Sequence, residues 1–183
     1  MGTDGKWCED CNLAINSGFY SLSGESLLNG PEKNRYLWYG QMLVLKRGNN
    51  ITQIACYENE SASRSSGDGG VTWGEWEYVN PQMVPGIEYR TTERLQGKPV
   101  YAMCVSCGAL PNSASTFIEG VLPYNITAIS ATGFAKSSTE SLSIPGEQVT
   151  IAVNNEWGYI IITTTSDKSG YTESYVTVKY IKK

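Results

Sequence analysis

The chain has 183 residues, of which 40% are hydrophobic and 17% charged, with a formal net charge of −4 and a sequence pI of about 4.9. That length suits one large or two small domains, and the acidic balance excludes a basic nucleic-acid footprint and a polybasic membrane patch. Histidine is absent, which removes imidazole bases, Ser-His and Cys-His nucleophile pairs and histidine metal ligands. No basic stretch followed by an apolar one opens the sequence at Met1-Gly-Thr-Asp-Gly-Lys6, so no signal peptide is expected. The apolar run Gly158-Tyr-Ile-Ile-Ile162 is far too short to span a bilayer, so no membrane insertion is expected.

In chain order, Asp10 is a candidate N-cap for a short helix over Cys11-Asn-Leu-Ala-Ile-Asn16, with Gly18 to stop it. A strand-like Phe19–Leu22 follows, then a polar loop from Ser23 to Arg35. Gln41–Lys46 and Ile51–Tyr57 read as strands joined at Gly48-Asn-Asn50, residues that tolerate positive φ. A Ser/Gly-rich loop is expected from Glu58 to Gly70, leading into Val71–Tyr78. Pro81 and Pro85 bracket a linker, because few backbone donors remain there to continue a sheet. The expected division is therefore 1–85 and 86–183.

The second part carries no helix signal. Ile87–Arg94 and Lys98–Cys104 flank the turn Gln96-Gly97. Tyr124–Ser130, Ser141–Ile144 and Val149–Val153 alternate apolar and polar, Trp157–Thr165 is rich in β-branched residues, and Tyr175–Ile181 has period-two apolar spacing. Short strands broken by Gly, Pro and Asn turns predict an antiparallel sandwich or jelly roll. The chain is thus expected to be mainly β: a small domain with a short helix and a β-hairpin, then a C-terminal sandwich-like domain.

Five cysteines exclude a complete internal disulfide set. The C-x-x-C pairs Cys8/Cys11 and Cys104/Cys107 have the spacing of a four-thiolate zinc site. Cys104 and Cys107 fall at the end of a strand, however, where positions three apart point to opposite faces. Buried thiols acting as small hydrophobes are the favoured reading, with no metal and no cofactor expected.

Two stretches resemble a known family. Ile87-Glu-Tyr-Arg-Thr-Thr-Glu-Arg-Leu-Gln-Gly-Lys-Pro-Val-Tyr101, followed by Gly108-Ala-Leu-Pro-Asn112, resembles the start of C-terminal head domains on tail fibres of tailed bacteriophages and prophages. The closing Val176-Thr-Val-Lys-Tyr-Ile-Lys182 resembles their last strand. Asp10-Cys-Asn-Leu-Ala14, Gly18-Phe-Tyr20 and Trp73-Gly-Glu-Trp76 are similar to the pyocin-type knob that precedes such heads. The resemblance implies a knob over 1–85, a receptor-binding head over 86–183 and an upstream fibre shaft. It also implies a homotrimer, and a virion-tail protein made in the bacterial cytoplasm that recognises a host cell-surface glycan or protein. A free-standing carbohydrate-binding module or a glycan-degrading tail enzyme is the alternative.

No catalytic residue is expected. Glu88, Arg90, Glu93 and Arg94 read as a charge ladder on one strand before they read as a glycosidase pair, which needs two carboxylates facing across a cleft. Trp73 and Trp76 are expected in core packing. Trp38, Trp157 and Tyr171 are the candidate ligand-binding aromatics, because each lies beside or within a polar loop.

Overall fold

The computed structural model describes residues 5–32, 35–79, 81 and 83–183. Met1–Asp4 of the N-terminal stretch, Lys33 and Asn34 of the first loop, and Gln82 of the expected linker lie outside the described residues. The chain is mainly β; the helical segments among the described residues are three 3-10 turns. It divides into two compact units. One comprises residues 1–82 with 89–92, the other residues 83–88 with 93–183. The sequence-based boundary was residue 85/86, and one strand, β7 (Glu88–Leu95), contributes residues to both units.

The first unit is built on an antiparallel meander, its second to sixth strands, with the first strand added in parallel at the edge. Strands β1 (Lys6–Cys8), β2 (Gly18–Leu22), β3 (Gln41–Arg47), β4 (Asn50–Tyr57), β5 (Glu60–Ser66) and β6 (Glu77–Tyr78) follow one another in the sheet, and Tyr78 pairs in parallel with Thr91 of β7. The β3–β4 hairpin turns where the sequence places it, with Gly48 at φ 60°. The predicted helix is a single 3-10 turn, Cys11–Leu13, capped by the Asp10 carboxylate, which accepts from the Asn12 N–H at 2.8 Å. The segment expected as a loop after Glu58 holds β5. Its inward positions are Ala62, Arg64 and Ser66 and its outward ones mostly serine, so no apolar alternation marks it as a strand.

Strand periodicity aims Met42, Val44, Ile51 and Ala55 inward, where they pack with Cys8, Cys11, Ala14, Tyr20, Leu22 and Leu27. The same period buries two polar side chains, Gln53 and Arg64, directly opposite each other on β4 and β5. Gln53 Nε2 donates to the Cys11 and Ala14 carbonyls at 2.6 and 3.0 Å, tying the 3-10 turn to the sheet. Arg64 donates to Gln53 Oε1 and Asn12 Oδ1, both at 2.9 Å. Its guanidinium carbon lies 4.4 and 4.7 Å from the ring centroids of Trp73 and Trp76. Both tryptophans therefore pack against this core, as expected from sequence.

The second unit is a sandwich. One sheet runs β8 (Lys98–Ser106), β14 (Glu173–Lys182), β10 (Ile126–Lys136), β11 (Ser141–Ile144); the other runs β12 (Val149–Asn154), β13 (Tyr159–Thr164), β9 (Ser115–Ile118). The ladders within both sheets are antiparallel. Met103 and Val105 of β8 and Val176, Val178 and Tyr180 of β14 meet Val149, Ile160 and Ile162 of the second sheet in one core. Burying each aliphatic side chain of this kind stabilises by roughly 1.5–3 kcal/mol. The turn at Gln96-Gly97 has φ 51° and 79°, the left-handed pair of a tight hairpin.

Candidate functional site: an aromatic pocket in the second unit

A pocket of about 450 Å³ opens on the second unit, lined by Glu119, Gly120, Tyr124, Trp157 and Tyr159. Its residues come from two connections. Glu119, Gly120 and Tyr124 belong to the segment between β9 and β10, Trp157 to the turn between β12 and β13, and Tyr159 opens β13.

The β12–β13 turn is held by one side chain. Asn154 Oδ1 accepts from the Glu156 and Trp157 N–H groups at 3.0 and 2.8 Å, and Asn154 Nδ2 donates to the Tyr159 hydroxyl at 3.1 Å. Gly158 then takes φ 66°, a conformation that costs a residue with a Cβ. A Cβ there would also meet the Leu122 carbonyl oxygen at 2.4 Å. That close approach lets the two connections lace together: Leu122 N–H donates to Gly158 O at 3.1 Å, Asn125 N–H to Glu156 O at 3.1 Å, and Ile126 N–H to Asn155 O at 2.9 Å. Asn155 Oδ1 accepts from the Ala128 N–H at 2.9 Å.

On this scaffold two rings stand open to solvent, Tyr124 at 67% and Trp157 at 59% exposure. Their planes meet at 87° with centroids 6.4 Å apart. Tyr159 adds a third, half-buried ring, itself backed by Phe117 at 6.0 Å. The Glu119 carboxylate sits at the same pocket, exposed. Aromatic faces, one carboxylate and no cationic side chain thus line the concavity.

Of the three aromatics singled out from sequence, Trp157 lines this pocket. Tyr171 packs at the edge of the sandwich core, and its hydroxyl donates to Glu140 Oε2 at 3.2 Å; desolvation and that carboxylate push its pKa up. Trp38 lies in the first unit, half-buried against the core, with Nε1 donating to the Pro31 carbonyl at 3.1 Å. Sequence reasoning missed Tyr124, Tyr159 and Glu119. The local signal for Tyr124 was Pro123-Tyr-Asn125, an aromatic set between turn residues.

The charge ladder of β7 is spent on ion pairs within the chain. Glu88 binds Lys182 at 2.6 Å and accepts from the Tyr180 hydroxyl, Glu93 binds Lys179 at 2.6 Å, and Arg90 binds Glu75 and Glu77 at 3.1 and 2.9 Å. The C-x-x-C pairs fall in different units. Cys107 faces the sandwich core with Met103 and Val105, whereas Cys104 stands on the other face of β8, as strand geometry requires. Burial holds the Cys107 thiol up at about 11. Cys8 and Cys11 are buried free thiols, and the interaction between them lowers the pKa of Cys8 and, with desolvation, raises that of Cys11. No cluster of three or more metal-ligating side chains occurs among the described residues.

No family model matches the sequence, and no curated protein matches it. Among solved structures the chain is similar to the tail fibres of R-type pyocins. An N-truncated R2-type pyocin tail fibre aligns over 99% of this chain and 98% of its own length, at 12% identity and a TM-score of 0.34. The C-terminal part of the P. aeruginosa R1 pyocin fibre aligns over 98% of this chain and 66% of its own, at 15% identity and a TM-score of 0.31. The collagen-binding domain of the Erysipelothrix rhusiopathiae surface protein RspB aligns over 79% of this chain and 58% of its own, at 12% identity and a TM-score of 0.36.

Proposed function

We propose that this chain is the receptor-binding tip of a bacteriophage or prophage tail fibre, and that it holds a host cell-surface glycan without chemically altering it. The observation that carries the reading is the Tyr124–Trp157 pocket. Large exposed aromatics are costly to leave in water, and a rigid concavity lined by them is the usual form of a small-ligand site. The sequence resemblance of 87–101, 108–112 and 176–182 to fibre head domains supplies the biological setting, with an upstream shaft and assembly in the bacterial cytoplasm.

The non-catalytic reading is supported by where the carboxylates lie. Glu88 and Glu93 are neutralised by Lys182 and Lys179, and the pocket has a single carboxylate, Glu119, whereas glycoside hydrolysis ordinarily uses two facing each other. A homotrimer fits the apolar side chains left outside the sandwich core. Phe134 and Tyr175 pair at 5.4 Å, Phe134 being 47% exposed, and Ile129 on the same strand is also exposed. Burial against like subunits about a symmetry axis covers such positions.

Adsorption of labelled protein to host-range cells, before and after their surface polysaccharide is stripped, tests the reading. Loss of adsorption on stripping is expected. Equal adsorption to intact and stripped cells, or release of reducing sugar during the incubation, overturns it.

A further inference from the structure

A neutral sugar site ordinarily pairs one ring, stacked on the C–H face, with amide and hydroxyl groups that read the hydroxyls around the sugar's edge. This pocket is differently equipped. Tyr124 and Trp157 stand at 87° to each other and so form two walls of a corner, with Tyr159 as a further ring. Within the turn, the Asn154 amide is committed at both ends, Oδ1 to two backbone N–H groups and Nδ2 to the Tyr159 hydroxyl, and the Asn155 oxygen is taken by the Ala128 N–H. The charged lining group is Glu119, and the next exposed side chain along the turn from Trp157 is another carboxylate, Glu156.

Ring faces carry negative electrostatic potential, and carboxylates add to it. A corner of aromatic rings with an acid at its rim attracts a cation, above all one too large and weakly hydrated to prefer water. We propose that the pocket receives a quaternary ammonium group carried by the host-surface polymer, with Trp157, Tyr124 and Tyr159 around its methyl groups and Glu119 as its counter-charge. This rests on the receptor-binding reading above and names the substituent that the site would select. The volume of about 450 Å³ exceeds that of a trimethylammonium group alone. The remainder accommodates the linking atoms of the polymer.

Choline and its uncharged isostere 3,3-dimethylbutan-1-ol, which has the same shape, separate charge recognition from mere apolar fit. Each is titrated into the full chain while the Trp157 indole N–H is followed by NMR, the resonance being assigned by its absence from Trp157→Phe. Choline and tetramethylammonium are expected to shift that signal at millimolar concentrations, with the isostere about tenfold weaker. Glu119→Gln is expected to weaken choline severalfold and leave the isostere unchanged. Equal binding of choline and the isostere, or no shift with either cation, overturns the proposal. The same variants are scored for adsorption to cells. If choline fails to bind but Trp157→Ala still abolishes adsorption, the cation assignment is wrong and the glycan-binding reading stands. If Trp157→Ala adsorbs normally, both fall.

Discussion

Replacing Arg64 should destabilise the first unit selectively, and the size of the effect can be worked from its contacts. The side chain is 8% exposed and Gln53 opposite it is fully buried. Arg64→Met leaves Gln53 Oε1 and Asn12 Oδ1 without their donor at 2.9 Å, and an unsatisfied buried acceptor costs about 1–3 kcal/mol. It also removes two cation–ring contacts, at 4.4 and 4.7 Å, worth about 0.5–2 kcal/mol each when desolvated. Against this stands relief from burying a cation whose two hydrogen-bond acceptors are amides. That burial lowers its pKa to about 10, which returns some 1–3 kcal/mol. The net expectation is a loss of about 2–3 kcal/mol, enough to lower the melting temperature of a unit this size by roughly 10–20 °C. Arg64→Lys keeps the charge but not the planar fork and should recover less than half of the loss. Urea denaturation followed by tryptophan fluorescence reads the change directly, since Trp73 and Trp76 are the rings involved. If Arg64→Met falls within about 0.5 kcal/mol of wild type, the network contributes no net stability and the reasoning fails.

Gly133→Ala should be severely destabilising, by more than about 4 kcal/mol, because its Cβ would lie 1.9 Å from the Tyr175 carbonyl oxygen across the β10–β14 ladder; a soluble, cooperatively melting variant would refute that packing. Gly158→Ala should leave the sandwich folded but distort the turn beneath Trp157, since both φ 66° and the Leu122 carbonyl oppose a side chain; loss of the 124–157 ring contact by NMR with the melting temperature lowered by less than 10 °C is expected. Burial raises the Cys107 thiol from 9.0 to about 11, so the unfolded chain ionises first. The stabilisation is whole below pH 9 and is lost as pH climbs through 11, by up to about 2–3 kcal/mol; denaturation midpoints against pH should fall over that window and flatten in Cys107→Ala. Light scattering should report about 60 kDa, three times the 20.1 kDa chain; a concentration-independent monomer would refute trimer formation by this chain alone.

What was legible in the sequence was whatever local chemistry decides. Asp10 announces its capped turn, Gly48 and Gln96-Gly97 announce hairpins, and β12 and β14 announce themselves by alternation. Strand β5 was hidden because its inward face carries Arg64 and Ser66, whose burial depends on partners from β4 and the tryptophan segment. Strand β9 was hidden for the same kind of reason: Ser115–Ile118 is four residues long and gains its identity by pairing with β13. The pocket was half legible. Trp157 after Asn154-Asn-Glu stands out in the sequence, but Tyr124 and Glu119 reach it from before β10 through backbone bonds that only the folded sandwich creates.

The central claim is that the Trp157 pocket holds the host surface. Adsorption of wild-type protein and Trp157→Ala to the same intact cells, at matched trimer or monomer state and with both proteins shown folded by their melting curves, tests it most directly. The account predicts that Trp157→Ala loses at least about tenfold in cell-surface affinity, the scale of a central aromatic contact. Adsorption equal to wild type would contradict it.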